Sequence, residues 1–225
     1  MNLRPFYRAA AAVVAAQVLV GAWGLAQVGP SATVPIHWNA AGEPNGYGPA
    51  WLAFLLLPVV TAGLTGLFAL VPRVEPRRAN LLKSGGAYVT IAFAMLVLML
   101  VVDVATVLAG VGHAVPMSVL VGGGVGLLFA ALGNVMTTLR SNYMVGVRTP
   151  WTLTSELSWD RTHRLVGRLW VAGGLALFLI SLIGHGELLL AAVVAFVVVT
   201  LVVAVVYSYL VWRADPDKRS LGGEA

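Results

Sequence analysis

The sequence predicts an all-α membrane protein with six transmembrane helices and with the N and C termini cytoplasmic. Three observations lead there. The 225 residues are 59% hydrophobic and only 10% charged, whereas soluble domains carry about 25% charged residues. The apolar residues gather in six runs, most of them long enough to cross a ~30 Å hydrocarbon core as helices. All 14 Lys and Arg fall in alternate polar segments between those runs.

The predicted spans are Ala9–Val28, Trp51–Val71, Ala87–Ala109, Ser118–Thr138, Leu169–Ile183 and Leu188–Trp212. The first follows Arg4 and Arg8 like a signal peptide. Its apolar run exceeds the roughly 7–15 residues of a signal core, and no clear small-x-small cleavage site follows, so it reads as a retained helix. The fifth is the shortest, interrupted by Gly184-His185-Gly186-Glu187. Glycine and proline inside the spans do not argue against helices, because bilayer helices tolerate both.

Orientation follows from charge. Arg4 and Arg8 precede the first helix, and Arg73, Arg77, Arg78 and Lys83 follow the second. Arg140, Arg148, Arg161, Arg164 and Arg168 follow the fourth, and Arg213, Lys218 and Arg219 follow the sixth. The other three loops carry no basic residue, and positive loops stay inside. The basic balance therefore reports orientation in the membrane and implies no direct nucleic-acid partner. The predicted organisation is an N-terminal two-helix unit, residues 1–71, and a four-helix unit, residues 72–225, with a cytoplasmic loop over 139–168.

The outer segment Gly29–Ala50 is rich in Pro and Gly, and Asn45-Gly46 reads as a hairpin turn. Trp38, Tyr47 and Trp51 suit the headgroup layer. The segment reads either as a connector held at the interface or as a docking surface for an extracellular ligand. His37, His113 and His185, with Glu43 and Glu187, fall on the same side. Such residues can ligate zinc, but each His lies in a different loop and no local metal signature joins them, so isolated loop histidines are the simpler reading. The chain has no cysteine, hence no disulfide or thiolate chemistry.

Asp103 is the one acid well inside a span, and such residues are functional candidates by default. It lies nearer the outer end of its helix, where it can reach the interface or bond Thr106 or the His113 loop. Gln17 and Asn134 are expected to bond between helices. Gly63 and Gly66, Gly122 to Gly124 with Gly126, and Gly173-Gly174 read as packing faces, Gly122 and Gly126 forming a small-xxx-small pair.

The inner loop Arg140–Arg168 stands apart as polar and aromatic. Pro150 should keep Thr149 out of a helix. Thr154 or Ser155 can cap a helix with Glu156 in its first turn. Asp160 and Arg164 are i,i+4 partners, and Arg161, Arg164 and Arg168 share a face. The expected picture is a Tyr143–Trp151 turn followed by an amphipathic helix along the cytoplasmic surface. A purely topogenic role, with arginines contacting anionic lipid at about 1 kcal/mol each, explains the charges. It explains poorly the particular order of residues.

That order resembles the SdpI-type family. The resemblance rests on Asn142-Tyr143, on Gly146-Val147-Arg148-Thr149-Pro150-Trp151-Thr152-Leu153, and on Trp159 with Thr162-His163-Arg164. An earlier block, Pro35-Ile36-His37-Trp38-Asn39 running on through Gly42 to Gly48, resembles a short domain of unknown function that often begins such proteins. The resemblance implies a multi-pass protein of the bacterial cytoplasmic membrane that confers immunity to a secreted, membrane-active peptide toxin. It implies, besides the lipid bilayer, an extracellular peptide and a cytosolic transcriptional repressor as partners. On it, His37, Trp38, Asn39 and Gly42 outside and Asn142, Tyr143, Gly146, Arg148, Thr149, Pro150, Trp151, Thr152, Trp159, Thr162, His163 and Arg164 inside are the candidate binding residues; Asp103 joins them as the acid within a span. The alternative is a small transporter or channel. No cofactor motif, nucleophile elbow, paired carboxylates, phosphate loop or His-Glu-x-x-His supports catalysis.

Overall fold

The computed structural model describes residues 3–183 and 186–219. Apolar runs whose backbone must satisfy itself in lipid form helices, and among the described residues six helices are long and apolar enough to cross a membrane. They are α1 (Arg4–Val28), α2 (Ala50–Val74), α4 (Gly85–Gly110), α5 (Met117–Met136), α7 (Glu156–Ser181) and α8 (Gly186–Ala214). Two short helices, α3 (Arg78–Lys83) and α6 (Pro150–Thr154), lie in the connections.

The segment between α1 and α2 departs from an all-helical fold. Strands β1 (Thr33–Trp38) and β2 (Pro44–Pro49) form an antiparallel hairpin. Asn45-Gly46 lies within β2, and the turn is Asn39–Glu43. There Glu43 N donates to Asn39 Oδ1 at 3.0 Å and Asn39 Nδ2 to Glu43 Oε2 at 3.1 Å. Gly42 at φ +86° closes the turn, a conformation only glycine adopts freely. The asparagine's capacity to bond its own neighbouring backbone outweighs the local Asn-Gly signal.

The helices pack in two groups joined by α4. One comprises α1, α2 and α4, with β1 against α4; the other comprises α4, α5, α7 and α8. Phe54 of α2 fills the centre of the first group, under Gly21 and Gly24 of α1 and Gly110 of α4. In the second, α5 and α7 meet backbone to backbone. A Cβ on Gly126 would stand 2.7 Å from the Gly174 carbonyl oxygen, and one on Gly133 would stand 2.6 Å from that of Gly167. Gly126 thus serves the packing face expected of it, whereas Gly122 meets Leu189 of α8 and Gly63 and Gly66 face open space.

The fifth span differs from expectation. The amphipathic segment and the apolar one form a single helix of 26 residues, α7, rather than a surface helix and a short span. Trp159, Thr162, His163, Val166 and Gly167 form a buried stripe that continues into the apolar half, so tertiary packing carries the helix through its polar region. Gly184 and His185 lie outside the described residues. Asp160 and Arg164 are both exposed and form no ion pair. Gln17 bonds across helices, donating to Met99 O at 3.2 Å, but Asn134 is exposed and makes no such bond.

Candidate functional site

At the end of the molecule carrying the α5–α7 connection, the loop Leu139–Ser155 is organised around Asn142. This side chain is fully buried. Its Oδ1 accepts from Met144 N and Val145 N at 2.9 and 2.7 Å, and its Nδ2 donates to Arg140 O and Val145 O at 2.9 and 3.0 Å. Gly146 follows at φ +116°, bringing the chain under the ring of His163. There Val147 N donates to His163 Nε2 at 3.0 Å, while His163 Nδ1 lies 2.8 Å from Trp159 O. Because a backbone N–H can only donate, Nε2 must be the bare nitrogen and Nδ1 the protonated one. The imidazole stacks on the Trp159 indole at 4.0 Å, and Trp159 Nε1 donates to Leu139 O at 2.8 Å. Two residues one turn apart on α7 thus hold the two ends of the loop's first half.

Thr149 is extended, as a residue before proline should be, and caps α6 through a reciprocal pair with Thr152. The Thr149 hydroxyl also donates to Ser208 Oγ at 3.0 Å, and Ser158 Oγ donates to Ser208 O at 2.8 Å, fastening the loop to α8. Trp151 stacks edge-on against Tyr209 of α8 at 5.2 Å. Ser155 caps α7 and donates to Asp215 Oδ2 at 2.5 Å. That hydroxyl, with the Asp217 N–H behind it, holds the Asp215 carboxyl below the usual carboxylate range.

A second clamp comes from the α2–α3 connection. Arg77 donates to Ser141 Oγ through Nη1, and through Nη2 to Leu153 O at 2.8 Å and Tyr143 Oη at 3.3 Å. Its guanidinium lies 4.6 Å above the Tyr143 ring. Glu75, almost completely buried, accepts from Arg77 N at 2.7 Å and from Tyr143 N at 3.1 Å. Asn80 Nδ2 donates to Ser141 O at 2.8 Å. Glu75, Arg77, Asn80, Ser141, Ser208 and Asp215 all belong to this arrangement, and sequence reasoning named none of them as site residues. The one local signal was Glu75, a lone acid in an otherwise basic connection.

The expected inner residues therefore divide. Asn142, Thr149, Thr152, Trp159 and His163 spend their polar atoms within the loop and its supports, and Thr162 is buried with its hydroxyl unpartnered. Tyr143, Arg148, Pro150 and Arg164 are exposed, and Trp151 is half-buried. Arg148 is tied by one bond to Tyr143 O, at 2.7 Å. An apolar cleft of about 760 Å³ opens beside the loop, bordered by Tyr143, Gly146, Arg148 and Thr149 and continuing between α5 and α8.

At the opposite end, His37, Trp38 and Asn39 form the rim of a cavity of about 550 Å³. Its walls are apolar: Leu56 and Leu57 of α2, Val121 and Val125 of α5, and Leu189 and Val193 of α8. The hairpin thus roofs a chamber built from both helix groups. Gly42 packs beside Ser118 of α5. His37 Nδ1 pairs with Asn45 Oδ1 at 2.6 Å, and His113 is exposed on the α4–α5 connection. Asp103 neither reaches the interface nor bonds Thr106, whose hydroxyl donates to Val102 O at 2.8 Å; it is fully buried within α4.

Comparison with known proteins matches these two ends separately. Residues 12–62 match a domain of unknown function, DUF1648, and residues 138–211 match the SdpI/YfhL protein family. The chain is 26% identical over 178 residues to the Immunity protein SdpI of Bacillus subtilis, covering 78% of this chain and 82% of that protein. No solved structure matches. The first match contains the hairpin with parts of its two flanking helices, and the second contains the clamped loop with α7 and most of α8; the chain is thus a multi-pass bacterial membrane protein whose residues 138–211 are similar to the SdpI/YfhL family.

Proposed function

We infer that the protein protects the cell from a membrane-active peptide, with the hairpin end outside and both termini in the cytoplasm. Similarity to an immunity protein along most of both chains supports a membrane immunity protein, and this is the observation that carries the reading. The charge distribution supports the orientation, since every Lys and Arg lies toward the end bearing the α5–α7 loop and positive segments stay inside. The N-terminal unit, residues 1–71, contributes the roof of the outer cavity, and the four-helix unit, residues 72–225, contributes its far wall and the inner loop.

In this reading the outer cavity receives an apolar segment of the peptide. Apolar lining with a few polar groups at one rim is the usual make-up of a ligand site, and His37, Trp38 and Asn39 supply that rim. Inside, the exposed Tyr143, Arg148 and Arg164, with the half-buried Trp151 beside them, form the face offered to a cytosolic repressor, and the buried members of the motif hold that face in shape. The reading involves no enzymatic step.

The test is survival. A Bacillus subtilis strain deprived of its own SdpI is exposed to the peptide toxin with and without this protein. Expected is protection by the wild type and its loss in Val121→Trp, which fills the cavity from its wall, at unchanged membrane abundance. Equal protection by the filled variant removes the cavity from the mechanism. No protection by abundant wild-type protein refutes immunity to that peptide.

A further inference from the structure

The apolar cleft beside the α5–α7 loop is polar at one end only. Along α5 it runs from Leu139 to Phe129, which is ~15 Å at the helical rise. That is half of a ~30 Å hydrocarbon core, the depth of one leaflet. At the deep end three rings interlock. Phe129 meets Trp170 edge-on at 5.1 Å and Phe196 at 5.0 Å, and Phe196 rests on Gly173 of α7. One turn beyond Phe129 and Val197, Val125 and Val193 already belong to the outer cavity.

Between its ends the cleft is walled by Leu132 and Met136 of α5 and by Leu201 and Val205 of α8. Thr200 also lines it, but its hydroxyl is turned back onto Phe196 O at 2.8 Å. Leu201 and Val205 are exposed, so this wall is open to the lipid around the protein.

The mouth is different. Arg148 and Tyr143 border it, and no acidic side chain lines any part of the cleft. Arg148 is exposed and gives one N–H to Tyr143 O at 2.7 Å. Its other N–H groups have no partner among the described residues. The Tyr143 hydroxyl accepts from Arg77, which leaves its own proton to donate. A free guanidinium fork and a hydroxyl donor suit phosphate oxygens.

We propose that this cleft holds one phospholipid with a net negative headgroup, drawn from the leaflet that borders the loop. The phosphate sits on Arg148 and Tyr143, and one acyl chain lies between α5 and α8 as far as Phe129. The depth argues against a membrane-spanning helix, which the ring cluster would stop halfway. A free anion would leave the whole apolar length unused. General attraction of basic loops for anionic lipid is shared by every exposed arginine at this end, whereas Arg148 is the arginine that borders the cleft. The site is independent of the immunity reading, since either orientation of the chain puts the loop end at a headgroup layer.

Native mass spectrometry of the full-length protein tests this, with dioleoyl phosphatidylglycerol or dioleoyl phosphatidylcholine added to the detergent micelles. The chains are identical, so only the headgroup differs. The wild type is expected to retain one phosphatidylglycerol in preference to phosphatidylcholine. Arg148→Gln, which removes one exposed bond, should weaken phosphatidylglycerol roughly tenfold, the loss of one charge-assisted contact. Val205→Trp, which fills the cleft and keeps the arginine, should also lose the lipid. Arg161→Gln, at an exposed arginine outside the cleft, should bind as the wild type does. Excess glycerol phosphate should not displace the lipid. The proposal is overturned by equal retention of the two lipids, by wild-type binding in Arg148→Gln or Val205→Trp, or by an equal loss in Arg161→Gln, which would mean diffuse attraction. Displacement by glycerol phosphate would also overturn it, identifying a phosphate site in which the chain plays no part.

Discussion

Replacing Gly146 by alanine should cost the loop far more than one methyl group suggests. Two separate effects meet there. The residue stands at φ +116°, a region that L side chains rarely adopt, with a strain of about 1–3 kcal/mol. A Cβ at this position would also collide with His163 Nε2 and approach Trp159 Cη2 to 3.3 Å. That nitrogen accepts the Val147 N–H, so relieving the collision breaks the bond and strands a buried donor, at about 1–3 kcal/mol. The combined loss should be roughly 2–6 kcal/mol by these two terms. It is measurable by titrating the purified protein from mild to denaturing detergent. Gly66→Ala is the control, because a Cβ there meets nothing within 4 Å, and it should change stability by less than about 1 kcal/mol. A double-mutant cycle with His163→Ala separates the terms: in that background the collision and the bond are both gone, and only the strain should remain. Gly146→Ala as stable as Gly66→Ala, or a cycle with no coupling, would refute the account.

Three other predictions follow from the same geometry. Arg77→Lys keeps the charge and loses the planar fork that reaches Ser141, Leu153 and Tyr143 together, and should destabilise by about 1–3 kcal/mol in the same titration; wild-type stability would show that the clamp is idle. The Asp215 carboxyl is held below its ordinary range by the Ser155 hydroxyl and then the Asp217 N–H. Its contribution is therefore present above the ordinary range and lost as pH falls through the depressed folded value, below about 4; Ser155→Ala should flatten the stability profile in that acid window, and an unchanged profile would contradict the link. Since the chain lacks cysteine, single cysteines at the exposed Asn45 and Glu156 report sidedness. The first should react with an impermeant reagent on intact cells and the second only after permeabilisation, and the reverse order would invert the proposed topology.

The spans were largely legible because lipid makes length and apolarity sufficient signals: the first, second, third, fourth and sixth runs each overlap one of the observed helices almost wholly. The fifth was misjudged because Glu156, Asp160, Arg161, Arg164 and Arg168 dilute its hydropathy. What carries the helix through them is the buried stripe from Trp159 to Gly167, which a window average cannot see. The hairpin was misplaced for a related reason, since Asn39 and Glu43 close the turn through side-chain bonds that no dipeptide rule encodes. Within the candidate site, the motif residues were legible as a set but not as to role. Asn142, Thr152 and His163 look like recognition groups in sequence, and the structure shows their polar atoms bonded within the loop. The loop's anchors, Glu75, Arg77, Ser208 and Asp215, come from 50 or more residues away along the chain from Tyr143, Leu153, Ser158 and Ser155, and apart from the lone acid Glu75 nothing local announces them.

The backbone contacts between α5 and α7 have a mechanical consequence. The touching glycine pairs, Gly126 with Gly174 and Gly133 with Gly167, lie seven residues apart along each helix, or ~10 Å. Two fixed points on two rods forbid both sliding and scissoring, because any shift drives a carbonyl into an α-carbon. The pair is thereby joined into one unit that runs from the cavity wall at Val121 to the loop at Leu139.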